Sequence, residues 1–396
     1  MSRSWIAAPL AAALSLLVLS CVHLATIPVQ AGSDANIEVF QGTTVTGVRY
    51  TRAEGARAGA LFAAMLPENW NGKLVLLLHG QIPANLPVQL PPPGHEPRWS
   101  ELVDEVLTRR YGVAYSSFRA NGFAVKEGLI DTRGAESMFR SMFGKPEKTY
   151  LTGFSMGNHI GQRLIETSAA RYDGLLAICG GLGGTTLQWG YFINARILFD
   201  YYFAGTLPGN AWSRTDADFA QVIEKVAAAV TASPEAFATA MELAAIDQLE
   251  IQWTTADELV VGIALSLLGA GGGTGDFQSK TGGIAIDNTQ TRYRGSSDDD
   301  ALNAGVARFA ADPNAVQFLR RFDPDGSLRG TPVLALHATR DPVVSAGLHF
   351  PAYRTVLAEA ENESLFVARL LDAFGHCEFS VEQMVDALED LVKRGQ

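Results

Sequence analysis

Three short segments carry residue types able to perform nucleophilic chemistry. Gly153-Phe154-Ser155-Met156-Gly157 sets a serine between two glycines, after a mostly apolar run at 148–153 and before a helical-period stretch at 158–166. Gly-x-Ser-x-Gly between a strand and a helix is a turn so tight that a Cβ at the flanking positions would clash, and it lifts the serine oxygen clear of the sheet. A serine hydroxyl is a weak nucleophile at neutral pH, so it needs a base within hydrogen-bond reach and an acid to orient that base. For a serine on this turn the expected chain order is Ser, then Asp or Glu, then His.

Both partners occur in that order. A buried-strand pattern at 331–336 ends in His337, and the loop after it carries Arg340-Asp341-Pro342. A last strand at 364–371 leads to Gly375-His376-Cys377-Glu378, then to a closing helix at 381–394. Of the seven histidines, only His376 lies in a loop after the last predicted strand. His23 belongs to the leader, and His159 to the first turn of the helix after the serine. His95 and His349 have no apolar strand end beside them, and His79 and His337 end strands without an acid in the right place. Asp341 is the expected orienting acid, with Asp372, four residues before His376, as the competing carboxylate. An oxyanion needs two N–H donors: the backbone of Met156, at a helix start, and that of Gln81, after Leu78-His79-Gly80.

The elements that must position these residues follow from periodicity. The run Leu74-Val75-Leu76-Leu77-Leu78 is apolar throughout, as expected of a parallel strand covered on both faces. Amphipathic 99–109, apolar 112–116, helical 125–142 and the strand at 148–153 then alternate β-α-β-α-β, the pattern of a parallel sheet with helices on both faces. Residues 37–66 read as extended, with alternating apolar positions at 37–40 and a second run at 58–66, and antiparallel edge strands fit both.

The whole chain has 396 residues, 47% hydrophobic and 18% charged, with a formal net charge of −11. That composition excludes a disordered chain, and an acidic balance without a basic block excludes nucleic acid as an expected partner. Three cysteines are too few for a disulfide scaffold or a cysteine-based structural zinc site. The glycines of 269–275 follow a helix rather than a strand, so they are not a nucleotide fingerprint, and His95-Glu96 lacks the second histidine of a zincin. Asp298-Asp299-Asp300 suits a helix start better than a cation site. No cofactor and no metal are expected.

These motifs together resemble the α/β-hydrolase superfamily, and more narrowly exported bacterial serine hydrolases of the prolyl-oligopeptidase-like and feruloyl-esterase-like kind. The resemblance rests on Leu78-His79-Gly80, Gly153–Gly157, His337-Ala338-Thr339-Arg340-Asp341-Pro342-Val343 and Gly375-His376-Cys377. It implies an α/β-hydrolase fold with Ser155, Asp341 and His376 as catalytic residues, and a cap inserted after the sixth core strand. The expected organisation is a leader at 1–31, core segments at 32–183 and 331–396, and a mostly helical lid at 184–330. Helices are expected in that lid at 217–230, 234–246, 256–268 and 301–311, with a glycine-rich loop at 269–283. Trp189 and Tyr191, in its aromatic first segment, are candidates for a substrate wall or for the lid's own core. Arg119, ending the strand before the serine strand, is a candidate for binding a substrate oxygen or for a structural ion pair.

Residues 6–19 are uncharged behind Arg3 and too short to span a bilayer comfortably, which fits an export signal. Cleavage is expected after Ala31, or before Cys21, which would then be lipidated and tether the protein to a membrane; a single membrane anchor is the alternative. Cys179 and Cys377 fall at the same edge of the sheet, so an oxidising compartment would allow a disulfide; two separate buried thiols are the other option. The expected activity is hydrolysis of a small-molecule or polymeric carboxylic ester. A peptidase or C–C bond hydrolase on the same residues, and a non-catalytic binding protein on the same fold, are the alternatives.

Overall fold

The structure, a computed structural model, describes residues 35–92, 98–168, 172–212, 219–267 and 274–395. The leader, with Cys21, and His95 lie outside the described residues. One nine-stranded sheet organises the chain, in the order β1-β2-β3-β5-β4-β6-β7-β8-β9. Its strands are β1 (Ala35–Thr43), β2 (Arg49–Arg57), β3 (Ala60–Pro67), β4 (Lys73–Leu78), β5 (Gly112–Ser116), β6 (Lys148–Phe154), β7 (Gly174–Ile178), β8 (Val333–Arg340) and β9 (Phe366–Phe374). β1, β2 and β3 pair antiparallel, and β3 lies antiparallel to β5. From β5 to β9 all pairings are parallel. The β2–β3 turn is two residues, Ala58 and Gly59, both with positive φ (51° and 86°), the backbone that matches the twist of a tight hairpin.

Side-chain alternation along β4 shows how the layers form. Leu74, Leu76 and Leu78 enter one core, against α2 (Val125–Phe143), α3 (Gly157–Ser168) and α11 (Ala346–Glu359). Val75 and Leu77 enter the other, against α1 (Arg98–Thr108) and α12 (Val381–Arg394). Because both faces are covered, no polar position survives in the middle of the strand. Each such leucine, fully buried, stabilises the fold by roughly 1.5–3 kcal/mol. Helix α12 starts on a capping box: Ser380 Oγ accepts from Gln383 N, and the Gln383 side chain accepts from Ser380 N.

Between β7 and β8 the chain builds seven helices among the described residues: α4 (Thr185–Tyr202), α5 (Phe219–Val230), α6 (Pro234–Ala244), α7 (Ala256–Ser266), α8 (Thr274–Thr281), α9 (Asp299–Gly305) and α10 (Pro313–Arg320). Three differences from the sequence expectation stand out. The aromatic first segment is one long helix, α4, mostly buried and with no exposed residue, so it shows little amphipathic period to read. The 269–283 stretch is not all loop, since Thr274–Thr281 is helical with Asp276 in its first turn and Lys280 in its last. The helix expected at 301–311 ends by Gly305, and Pro313, preceded by the N-cap Asp312, starts a separate one.

The two ends of the insertion are stitched together. Thr186 N donates to Asp323 Oδ1 at 2.8 Å, and the Thr185 and Thr186 hydroxyls donate to the same carboxylate. Insertion helices also touch the sheet's carboxyl edge: Glu258 of α7 meets Arg340 at 3.4 Å. No helix among the described residues is long and apolar enough to cross a membrane.

Candidate active site

Ser155 sits between β6 and α3 with φ 49°, a left-handed backbone that non-glycine residues adopt only when the surroundings enforce it. The enforcement is visible. A Cβ at Gly157 would lie 2.2 Å from the Leu78 carbonyl oxygen, and one at Gly153 would lie 2.7 Å from Asn158 Oδ1. Asn158, whose importance nothing in the sequence signalled, donates from Nδ2 to the carbonyls of Ser155 (3.2 Å) and Ile178 (2.8 Å). Backbone oxygens cannot swing aside, so Gly157→Ala is expected to cost about 1–3 kcal/mol or more. Chemical denaturation of the variant measures this, and a stability equal to wild type would mean the turn is looser than its contacts.

The chain brings Ser155, Asp341 and His376 together from three strand ends. His376 Nε2 lies 2.9 Å from Ser155 Oγ, and His376 Nδ1 lies 2.8 Å from Asp341 Oδ2. A carboxylate accepts, so Nδ1 carries the proton and Nε2 accepts from the serine hydroxyl. Asp341 is 5% exposed; its other oxygen accepts from Val343 N (2.9 Å) and Val344 N (3.0 Å). Asp372, the competing carboxylate, points away: its side chain is 86% exposed and paired with Arg340. The amides of Met156 and Gln81 donate to no backbone or side-chain acceptor among the described residues.

This combination decides the architecture: a mostly parallel sheet in that strand order, a strained serine after β6, an acid after β8 and a histidine after β9. The fold is that of the α/β hydrolases. No protein-family model matches the chain, and no curated protein sequence does. Among solved structures, the rice cell wall degrading esterase LipA from Xanthomonas oryzae, in a ligand-bound form, is 16% identical with a TM-score of 0.47, over 93% of this chain and 100% of that one. Feruloyl esterase B from Aspergillus oryzae is 13% identical with a TM-score of 0.44, covering 89% and 82%. An esterase from Pyrococcus furiosus is 12% identical with a TM-score of 0.41, covering 91% of each chain.

Other candidates from the sequence go elsewhere. Arg119 N and the Arg119 guanidinium both donate to Asp131 of α2, so its charge is consumed by a structural pair. Trp189 is buried, its ring stacked on Phe277 of α8 at 3.7 Å between centroids and edge-on to Phe123. Tyr191 is also buried, and its hydroxyl donates to the Pro342 carbonyl at 2.6 Å. Neither ring forms an open wall for substrate; both belong to the packing that joins the insertion to the core.

Cys179 and Cys377 form a disulfide across 198 residues, with Cα atoms 5.1 Å apart. It ties the residue next to His376 to the end of β7. Arg98 of α1 adds a second tie, donating to the Cys377 carbonyl and pairing with Glu378, both at 2.8 Å. Cys179, Cys377 and His376 bring ligand-type atoms within 4.8 Å of one another. Both sulfurs are used by the disulfide and the imidazole by Ser155 and Asp341, so they hold no metal in this form.

Four further histidines are buried beneath the edge. Burial pushes His79 and His159 down to about 4, His349 well below its ordinary value, and His337 down against the pull of Asp341. Below pH 6.5 the unfolded chain protonates these rings and the native fold does not, so stability falls as pH falls toward 4. Glu166, raised to about 7 by burial and then by Asp325 against the pull of Arg163, works in the opposite direction between pH 4.5 and 7. The buried histidines outnumber this one acid, so the net effect is a loss of stability as pH falls from 6.5 toward 5. Urea midpoints at pH 7 and pH 5 measure it; equal midpoints would show that the rings are solvated.

Proposed function

We propose that the protein is a serine hydrolase that cleaves carboxylic esters through an acyl-enzyme. The observation that carries this reading is the continuous hydrogen-bonded line Ser155 Oγ, His376, Asp341 on a strained turn. In the proposed mechanism Ser155 attacks the carbonyl carbon while His376 Nε2 takes its proton, and Asp341 stabilises the imidazolium. The amides of Met156 and Gln81 receive the oxyanion. His376 then returns the proton to the departing alcohol, and water, deprotonated by the same nitrogen, releases the acid and restores Ser155.

A neutral ester is favoured because three cations at the carboxyl edge among the described residues are already matched: Arg98 by Glu378, Arg119 by Asp131, and Arg340 by Asp372 and Glu258. These three are therefore engaged before any substrate carboxylate could meet them. The helical insertion serves as a lid whose packing sets the acyl and alcohol range. A disulfide supports an oxidising compartment, and with it export by the leader, either as a soluble protein or tethered through Cys21. Turnover of p-nitrophenyl esters against aminoacyl anilides tests the reading. Ester cleavage with anilides inert is the expected result; preferential anilide cleavage would make it a peptidase, and turnover of neither class would leave a C–C hydrolase or a binding protein.

A further inference from the structure

The loop after β8 is held by an unusual set of side chains. Its three successive carbonyls at 342–344 each accept from a buried side-chain donor. Tyr191 Oη donates to Pro342 O at 2.6 Å, Gln188 Nε2 to Val343 O at 2.9 Å, and His337 Nε2 to Val344 O at 2.8 Å. On the other side of the same peptides, the Val343 and Val344 N–H groups go to Asp341 Oδ1. The loop is therefore clamped from both sides, and the clamp leaves Oδ2 facing His376.

Two of the three donors lie on α4, the first helix of the insertion, and their direction is fixed by a further relay. Gly183 N donates to His349 Nδ1 at 3.1 Å, which leaves the proton on Nε2; that N–H donates to Gln188 Oε1 at 2.9 Å. With its oxygen so engaged, the Gln188 amide must present its NH2 to Val343. A flipped amide would set oxygen against oxygen. All four side chains are at least 95% buried, so water cannot substitute for a lost donor without opening the core.

We propose that Gln188 and Tyr191 are positioning residues, which hold the Asp341 carboxylate against His376 by fixing the 342–344 carbonyls, with His349 setting the orientation of Gln188. They touch neither substrate nor reacting atoms. The inference rests on the proposed serine-hydrolase reading. Its physical content is that a loop shift of a fraction of an ångström breaks the Oδ2 to Nδ1 alignment, and misplacement by about 1 Å can cost on the order of 100-fold. The insertion thereby contributes to the hydrolytic site through its first helix as well as covering it.

Tyr191→Phe and Gln188→Met test this with little change in volume. On a small activated ester each is expected to lower kcat by about tenfold with KM within about twofold. The acidic limb of the kcat/KM profile should also move to lower pH, because a displaced Asp341 stabilises the His376 imidazolium less. A role in stability alone would lower the melting temperature and leave that limb in place. In an Asp341→Asn background, Tyr191→Phe should add less than about twofold. Full kcat with an unmoved limb in both variants, or additive losses in the double variant, would overturn the proposal. Ser155→Ala in the same assay separates the two readings. If it retains turnover, the hydrolase reading falls; if it is dead while Tyr191→Phe and Gln188→Met are fully active, only the positioning role falls.

Discussion

Ser155→Ala is expected to abolish ester turnover, by roughly 10⁴- to 10⁶-fold in kcat, with the fold and substrate binding intact. The size follows from the geometry. Ser155 Oγ is the atom 2.9 Å from His376 Nε2, so its removal leaves an imidazole with nothing to deprotonate except water. Any residual rate would come from the two backbone donors and from binding alone. Alanine fits the turn without a new clash, because the left-handed φ of 49° is already imposed on a Cβ-bearing residue. His376→Ala should be as damaging, and combining it with Ser155→Ala should cost little more, since the residues act as a unit. Steady-state kinetics on a p-nitrophenyl ester, with circular dichroism to confirm folding, provides the measurement. A Ser155→Ala variant within tenfold of wild type would refute the mechanism.

The largest effect on stability should come from the disulfide. Cys179 and Cys377 are 198 residues apart, so the bond restrains a long loop of the unfolded chain, for which native disulfides typically contribute about 2–5 kcal/mol. A Cys179→Ala, Cys377→Ser variant is expected to lose stability of that order and to lose kcat as well. The catalytic part of the loss arises because Cys377 adjoins His376, and the loop is otherwise held by non-covalent ties such as Arg98 to the Cys377 carbonyl and to Glu378, and Gly375 N to Arg340 O at 3.1 Å. Urea unfolding with and without reductant checks both effects. Wild type under reductant should approach the variant, and the variant should be indifferent to it; an unchanged midpoint would contradict the tie.

Much of the site was legible because of where strands end. Parallel strands buried on both faces leave continuous apolar runs such as 74–78, and a polar residue just past such a run falls on the sheet's carboxyl edge. Ser155, Asp341, His376, Cys179 and Cys377 all sit there, which is why residues far apart in the chain meet. The choice of Asp341 over Asp372 follows in the sequence from its place after the penultimate strand, but Asp372 reads there as part of the His376 loop; β9 instead runs on to Phe374, so Asp372 lies within the strand and its side chain faces solvent with Arg340.

Other features carry no comparable signal. Helix α4 is mostly buried and has no exposed residue, so its aromatics have no solvent-facing polar stripe to give away a period, and in the sequence Trp189 and Tyr191 suit a substrate wall as well as packing. Tyr191, Gln188 and His349 acquire their roles only when α4, α11 and the 341–345 loop are packed together, a contact that local pattern does not encode. Arg119 was an ambiguous cation until Asp131, twelve residues on and one helical face away, closed on it. Strand β2 was equally hidden: its sequence RYTRAEGAR lacks an apolar run, and it is a strand because it pairs with β1 and β3.

The most direct test of the central claim is to treat the native protein with a fluorophosphonate and locate the adduct by mass spectrometry of its peptides. An activated serine reacts with such a phosphorus centre as it would with an acyl carbon. Stoichiometric labelling on Ser155, absent in Ser155→Ala and strongly slowed in His376→Ala, is the result expected. An unlabelled Ser155, or a label carried by another serine, would contradict it.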